Sequence, residues 1–335
     1  MLLPTHFALK SLNMNTRFNE LTSWIREQFS RFELAPLPAD ASFRRYYRVT
    51  LPEISYIVMD APPSTENCRP FVAISQALRE LKLHSPEIIA SDLAKGFLLL
   101  SDFGDELYLT ALNEKNAEAL YRRALDSLAI LQACRNVREW NIPLFTEEFM
   151  RQELELFKEW FLRKHLNFQF QDSEKKLNTC FDFLANVSAS QPRVFMHRDF
   201  HSANLMVLPE EKVGILDFQD AFFGPVTYDL VSLLRDCYIS WPDSLVRKLV
   251  LDYQQKIALP TVSPDEFLRW FDLMGLQRHM KALLTFSRKW HRDQNANYLQ
   301  HIPRTLAYIA AVSERYPECK IIHESSKEWV NLCAR

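Results

Sequence analysis

Four side chains between positions 197 and 217 have the types and spacing to do chemistry. From 194 the chain reads V-F-M-H-R-D-F-H-S-A-N-L-M-V-L, and from 213 it reads V-G-I-L-D-F-Q-D. His197, Asp199 and Asn204 thus stand in H-x-D-x-x-x-x-N spacing, with Asp217 thirteen positions beyond Asn204. Such a set suits phosphoryl transfer, in which one loop carboxylate orients an attacking hydroxyl while an amide and a second carboxylate hold a hard cation against phosphates. Asp199 is therefore the candidate catalytic residue, Asn204 and Asp217 the candidate Mg2+ ligands, and ATP the expected donor. A lone H-x-D is more often a loop hydrogen bond than a site; four placements flanked by apolar runs are a far stronger signal. His197 reads as a structural ring that fixes the loop from beneath. His201 either touches the acceptor or faces solvent. Zinc shared by His197 and His201 is excluded, because the segment is not helical and no third ligand follows.

This chemistry requires elements that hold the four residues together. Residues 194–196, 205–208 and 214–216 read as short strands, so a loop within a β-hairpin is expected to carry Asp199, with Asn204 on the return strand and Asp217 at the end of its own. Around this island the pattern is helical: Tyr121, Ala124, Leu125, Leu128 and Leu131 recur at three to four residues, as do Phe149, Leu156, Phe157, Trp160 and Phe161, then Leu177, Phe181, Leu184 and Val187. Before residue 104 short β-rich runs at 46–51, 56–59 and 97–100 surround one helical stretch near 71–81. Phe18, Leu21, Trp24, Ile25 and Phe29 predict a helix opening at Met14, capped by Asn15 or Thr16. Residues 1–14 read as a flexible leader, and Met14 as an alternative start. The expected fold class is α+β and two-lobed, with a small sheet-rich lobe over 15–104 for ATP and a larger mostly helical lobe over 105–335 for catalysis and the acceptor.

Composition sets the outer limits. The 335 residues carry 40 Lys and Arg against 42 Asp and Glu, a net charge of −2, which offers no general attraction for nucleic acid or an anionic membrane. Hydrophobic residues at 47% and charged residues at 24% fit a folded globular chain. Six cysteines without C-x-x-C pairs suggest reduced thiols in a cytoplasmic protein. With only five glycines, a phosphate-binding loop must work without the usual glycine run.

The run HRDFHSANLMV followed by GILDFQDAFFGPVTYDLVSLLRDCYISW resembles the aminoglycoside phosphotransferase and choline kinase superfamily, whose members have a protein-kinase-like fold. ADASFRRYYRV at 39–49, VMDAPPSTENCRPF at 58–71, GFLLLSDFG at 96–104 and FDLMGLQRHMKALLTFSR at 271–288 resemble a narrower branch, the bacterial anomeric N-acetylmuramate/N-acetylglucosamine kinases. The resemblance implies ATP-dependent phosphorylation of the C1 hydroxyl of a free amino sugar in cell-wall recycling. It also implies that Leu100, Ser101, Asp102 and Phe103 form the hinge whose backbone meets adenine, and that Asp229 is a buried carboxylate steadying the catalytic loop. Capping of the following helix with Thr227 is the alternative role for Asp229.

Two departures from the superfamily stand out. The strand Y-I-V-M-D has Met59 where an ATP lysine is usual, with no glutamate where its helix partner is expected, and residues 40–47 contain no glycine. Ser42 and the amides of 41–44 are thus expected to cover the phosphates, with Arg44 or Arg45 as the replacement cation; the bland alternative is an arginine on the strand surface.

Acceptor contacts are expected from Arg198, His201, Gln219, Asp220, Arg235 and Asp236, and from the charged stretch holding Arg278, His279 and Lys281. Residues 221–335 hold 15 Lys and Arg against 12 Asp and Glu, a poor surround for a polycation, so a neutral or singly anionic sugar fits better. Arg278 or Lys281 would then meet the lactyl carboxylate of N-acetylmuramate, unless the stretch is a solvated helix face. Alternative readings are a kinase of the same fold for an aminoglycoside, choline-like alcohol or homoserine, and a non-catalytic nucleotide-binding protein.

Overall fold

A computed structural model of the protein describes residues 6–38, 43–170, 172–259 and 261–333, with side chains from 16 onward. The chain divides into two compact units: residues 1–72 with 86–103, and residues 73–85 with 104–335.

Helix α1 (His6–Gln28) opens the first unit. It starts eight residues before Met14, so Asn15 and Thr16 lie inside it rather than at a cap. Nothing between His6 and Met14 interrupts a helix, since that stretch has neither Pro nor Gly. β1 (Glu33–Pro36), β2 (Arg45–Thr50), β3 (Ser55–Asp60), α2 (Arg69–Glu80), β4 (Ile88–Asp92) and β5 (Phe97–Ser101) follow, and the division between the units falls within α2. The strands form one antiparallel sheet in the order β1-β2-β3-β5-β4. β1 and β4 carry no clear alternation in the sequence, which is why they escape a pattern reading. Leu21, Trp24 and Ile25 of α1 pack on Val49, Val58, Phe97 and Leu99 of the sheet. Burial of such side chains stabilises by about 1.5–3 kcal/mol each. Asp60, buried at the end of β3, is paired by Arg17.

The second unit is mainly helical: α3 (Tyr108–Ala111), α4 (Ala117–Gln132), α5 (Glu147–Phe157) running on as a π-helical turn (Lys158–His165), and α6 (Ser173–Ala189). Four short strands follow: β6 (Arg193–Met196), β7 (Leu205–Val207), β8 (Val213–Ile215) and β9 (Phe222–Pro225). Then come α7 (Tyr228–Leu234), α8 (Asp243–Lys256), the thirty-residue α9 (Pro264–Asp293), α10 (Ile302–Ser313) and α11 (Lys320–Cys333). Phe157, Phe161, Phe181, Leu276, Met280, Leu283 and Trp329 fill the core among α5, α6, α9 and α11.

The strand pairing corrects one expectation. β7 and β8 do form a hairpin, but β6 pairs with β9, not with β7. The loop carrying Asp199 therefore crosses from one two-stranded ladder to the other. Asn204 ends a 3-10 turn (Ser202–Asn204) ahead of β7 and is not part of the return strand. The preference of β6 for β9 is set by hydrogen bonds between residues some thirty positions apart, which adjacency along the chain does not reveal.

Candidate active site

The loop between β6 and β7 is held from several sides by groups that leave little freedom. Asp229, the second residue of α7, is fully buried and accepts the backbone N–H of His197 at 2.6 Å and of Arg198 at 2.9 Å. Burial pushes its carboxyl up to about 7 against the opposing pull of those two amides. Arg198 adopts φ 80°, a left-handed conformation uncommon for a side chain with Cβ, and the two amide bonds fix it there. His197 is fully buried, its ring bonded to the Leu216 carbonyl through Nε2 (2.9 Å), while Nδ1 accepts the Asp199 N–H (3.3 Å). Burial lowers this imidazole to about 4, so it is neutral and splints Asp199 to the segment that bears Asp217.

The three residues of the motif come together. Asn204 donates through Nδ2 to the Asp199 carbonyl at 3.0 Å and to Asp217 Oδ2 at 3.4 Å. Its amide nitrogen faces protein, which leaves the amide oxygen as the atom for a cation. Asp217 sits two residues past β8 at φ 60°, with Gln219 Nε2 on its Oδ1 at 2.6 Å. Among the described residues no group of three His, Cys, Asp or Glu converges as a metal cage. One carboxylate and one amide oxygen nevertheless fit Mg2+, which commonly takes one or two carboxylates and completes its shell with phosphate oxygens and water.

Asp199 itself meets Lys281 of α9, whose Nζ lies 3.2 Å from Oδ1, and it keeps 32% of its side chain exposed. Burial raises its pKa, but Lys281, then His201, Arg278 and Arg198, outweigh this and hold the carboxyl well below the usual range.

The acceptor candidates separate by what they touch. His201 is buried with Nδ1 lacking a hydrogen-bond partner, and its ring lies edge-on to Tyr238; burial lowers its pKa against the opposing pull of Asp236 and Asp199. Gln219 Oε1 is likewise buried without a partner, and Asp220 is exposed. Arg198 ion-pairs Glu153 of α5 at 3.0 Å and lies over Phe149 and Phe222. Arg235 is buried, paired to Asp272 of α9 at 2.7 Å and stacked over Phe271. Asp236 accepts from the Ser202 backbone N–H (3.0 Å), the Ser202 hydroxyl and the Tyr238 N–H (2.9 Å), so it ties the catalytic loop to the chain after α7. Arg278 is buried and donates to Ser232 at 2.5 Å, and His279 bonds the Arg235 carbonyl at 2.9 Å. The side chains of Arg235, Arg278 and His279 are thus engaged in packing α7 against α9, and that of Asp236 in holding the catalytic loop.

Glu153 and Gln277 escaped the sequence reading. Gln277 Nε2 donates to Glu153 Oε2 at 2.9 Å, completing a buried Arg198–Glu153–Gln277 chain beside Asp199. The available signal was an acid on the apolar face of α5, between Met150, Leu154 and Phe157.

In the first unit, Ser42 lies outside the described residues. Arg44 is mostly buried and ion-pairs Glu66 at 3.0 Å, while the Phe43 N–H donates to the same carboxylate at 3.3 Å. Arg44 thus has a glutamate partner, in the loop ahead of α2, where helical spacing gives no hint of it. Arg45 pairs across the sheet with Asp60 in the β2–β3 register, and Met59 is fully buried. Leu100 is buried in β5, and Ser101 exchanges backbone and side-chain hydrogen bonds with Glu87. The Asp102 carboxylate is taken by Arg48 and Ser55, both at 2.7 Å.

The described cysteines are all free thiols, and no helix among the described residues is long and apolar enough to cross a membrane. Residues 33–264 match the model of the phosphotransferase enzyme family. The N-acetylmuramate/N-acetylglucosamine kinase of Pseudomonas aeruginosa is 40% identical over 322 residues, covering 91% of this chain and 94% of that protein. The protein of the same name from Neisseria meningitidis is 38% identical, covering 89% and 92%. Among solved structures, choline kinase LicA from Streptococcus pneumoniae aligns with a TM-score of 0.62 at 13% identity over 87% of this chain and 99% of that one. An aminoglycoside phosphotransferase in a ternary complex with streptomycin and ATP aligns at 0.60 with 16% identity, over 92% and 97%.

Proposed function

The chain belongs to the phosphotransferase enzyme family, and on that premise we propose that it transfers the γ-phosphoryl group of ATP to the C1 hydroxyl of N-acetylmuramate and N-acetylglucosamine. The observation that carries the reading is the single hydrogen-bonded patch of Asp199, Asn204 and Asp217, together with relatives of that name that match nearly the whole chain.

Asp199 orients the sugar hydroxyl and accepts its proton as the new P–O bond forms. Its carboxylate is only weakly basic beside Lys281, which suits a hemiacetal hydroxyl because that group is more acidic than an ordinary alcohol. Asn204 and Asp217 would hold Mg2+, which when bound neutralises charge on the triphosphate. His197 and Asp229 keep Asp199 at its station, so positioning contributes more than basicity. On the donor side, Arg44, oriented by Glu66, is the cation offered to phosphate in place of a strand lysine, and the hinge backbone just past β5, at Asp102 and Phe103, takes adenine. Sugar 1-phosphates made this way feed reuse of cell-wall sugars in the cytoplasm, where ATP is available.

A coupled assay of ADP release with N-acetylmuramate, N-acetylglucosamine and kanamycin tests the reading, with phosphorus NMR locating the phosphate. Turnover of the two sugars with a C1 phosphoester is expected. Turnover of kanamycin alone, or of none of the three, would reject the proposal.

A further inference from the structure

Lys281 of α9 reaches the catalytic loop, and Arg288 lies further along the same helix. Arg278 is bonded to Ser232, and Lys281 to Asp199. Arg288, seven residues beyond Lys281, falls on the same side of the helix about 10 Å further along its axis. Its Nε is buried without a hydrogen-bond partner, and no ion pair reaches its guanidinium among the described residues. The acids near it are already committed: Asp293 is chelated by Arg292 at 2.7 and 2.9 Å, and Glu153 is shared between Arg198 and Gln277. Burial and the neighbouring Arg292 disfavour its charged form, and Arg198 adds to this while Asp293 and Glu153 offset it only in part. A half-buried guanidinium without its own counter-ion is costly unless an anion from outside completes it.

The two proposed acceptors differ by one group that would do so. N-acetylmuramate carries a lactyl ether, with its carboxylate, on the oxygen at C3, and N-acetylglucosamine has a free hydroxyl there. With C1 at Asp199, that carboxylate lies roughly the width of a sugar ring and its arm away, a span comparable with the roughly 10 Å along α9 from Lys281 to Arg288. We infer that Arg288 binds the acceptor's carboxylate and sets the preference for the anionic over the neutral sugar, an assignment that rests on the sugar-kinase reading above. It replaces Lys281, which is paired with Asp199, and Arg278, which packs α7 against α9 through its bond to Ser232 even though its Nε has no partner.

The test compares the parent enzyme with Arg288→Met and Arg288→Lys in steady-state assays on both sugars, with urea unfolding as a check on folding. Arg288→Met is expected to lower kcat/KM for N-acetylmuramate roughly 10- to 100-fold, chiefly through KM, the range of one charge-assisted contact. N-acetylglucosamine should change by less than about twofold, and Arg288→Lys should recover part of the loss as a point charge without the bidentate fork. Equal losses on both sugars, or no loss on either, in variants that fold would overturn the inference. If the parent phosphorylates neither sugar, the kinase reading fails separately, and calorimetric binding of the two sugars decides this one. Selective loss of N-acetylmuramate binding in Arg288→Met supports it, and unchanged or absent binding of that sugar to the parent rejects it.

Discussion

Removing the Asp229 carboxylate should damage turnover more than folding, and the structure sets the scale of both effects. Asp229 accepts two buried backbone N–H groups, at 2.6 and 2.9 Å, from the residues just ahead of Asp199. Asp229→Ala strands both donors, at about 1–3 kcal/mol each, so a loss of about 2–6 kcal/mol is expected out of a typical domain stability of about 5–15 kcal/mol. Asp229→Asn keeps one carbonyl oxygen and turns an amide against the second N–H, which halves the damage. Arg198, released from φ 80°, can then relax and carry Asp199 with it. A displacement of about 1 Å at the reacting group is worth on the order of 10²-fold in rate. Urea unfolding and kcat with N-acetylglucosamine measure the two consequences on the same preparations. An Asp229→Ala protein within about 0.5 kcal/mol of the parent and with unchanged kcat would refute the claim that this carboxylate positions the loop.

Asp199→Asn should lower kcat by about 10²- to 10⁴-fold while ATP affinity, read by calorimetry, stays within about twofold. Lys281→Met removes the nearest cation from Asp199, so the carboxyl titrates at higher pH; the acidic limb of the kcat profile should move upward relative to the parent. Glu66→Gln and Arg44→Ala, which break one ion pair from opposite sides, should both raise KM for ATP, and the double variant should be less than additive. Burial lowers His197 from 6.5 to about 4 and His279 from 6.5 to about 3, so each adds stability above pH 6.5 that is lost as pH falls toward those values. Asp229, raised from 3.8 to about 7, works the other way across that window, but the histidines outweigh it, so stability is expected to fall from pH 7 to pH 4 in urea titrations.

The cationic helix shows where pattern reading stops. α9 buries residues on nearly every side from Phe267 to Ser287, so no apolar stripe marks which way Arg278, Lys281 or Arg288 points. Read linearly, the three are equivalent charges. Packed against α5 and α7, one is a buried hydrogen-bond donor, one the partner of Asp199 and one a cation without a counter-ion. Glu66 stayed hidden for a different reason, since it lies in a loop where no periodicity exists to place it.

His197, Asp199, Asn204 and Asp217 were legible from the amino-acid sequence because their cooperation is local: twenty-one residues hold the loop, the 3-10 turn and the strand that aim them. The small sheet, the helical unit and most element positions followed from periodicities of two and 3.6, which need no knowledge of partners. Only the tertiary structure decided that β6 pairs with β9, that Lys281 reaches Asp199 across 82 positions, and that Glu153 and Gln277 brace Arg198. Each of these depends on hydrogen bonds and charges closing over long stretches of chain, and the residue types at either end are compatible with many other partners until packing selects one.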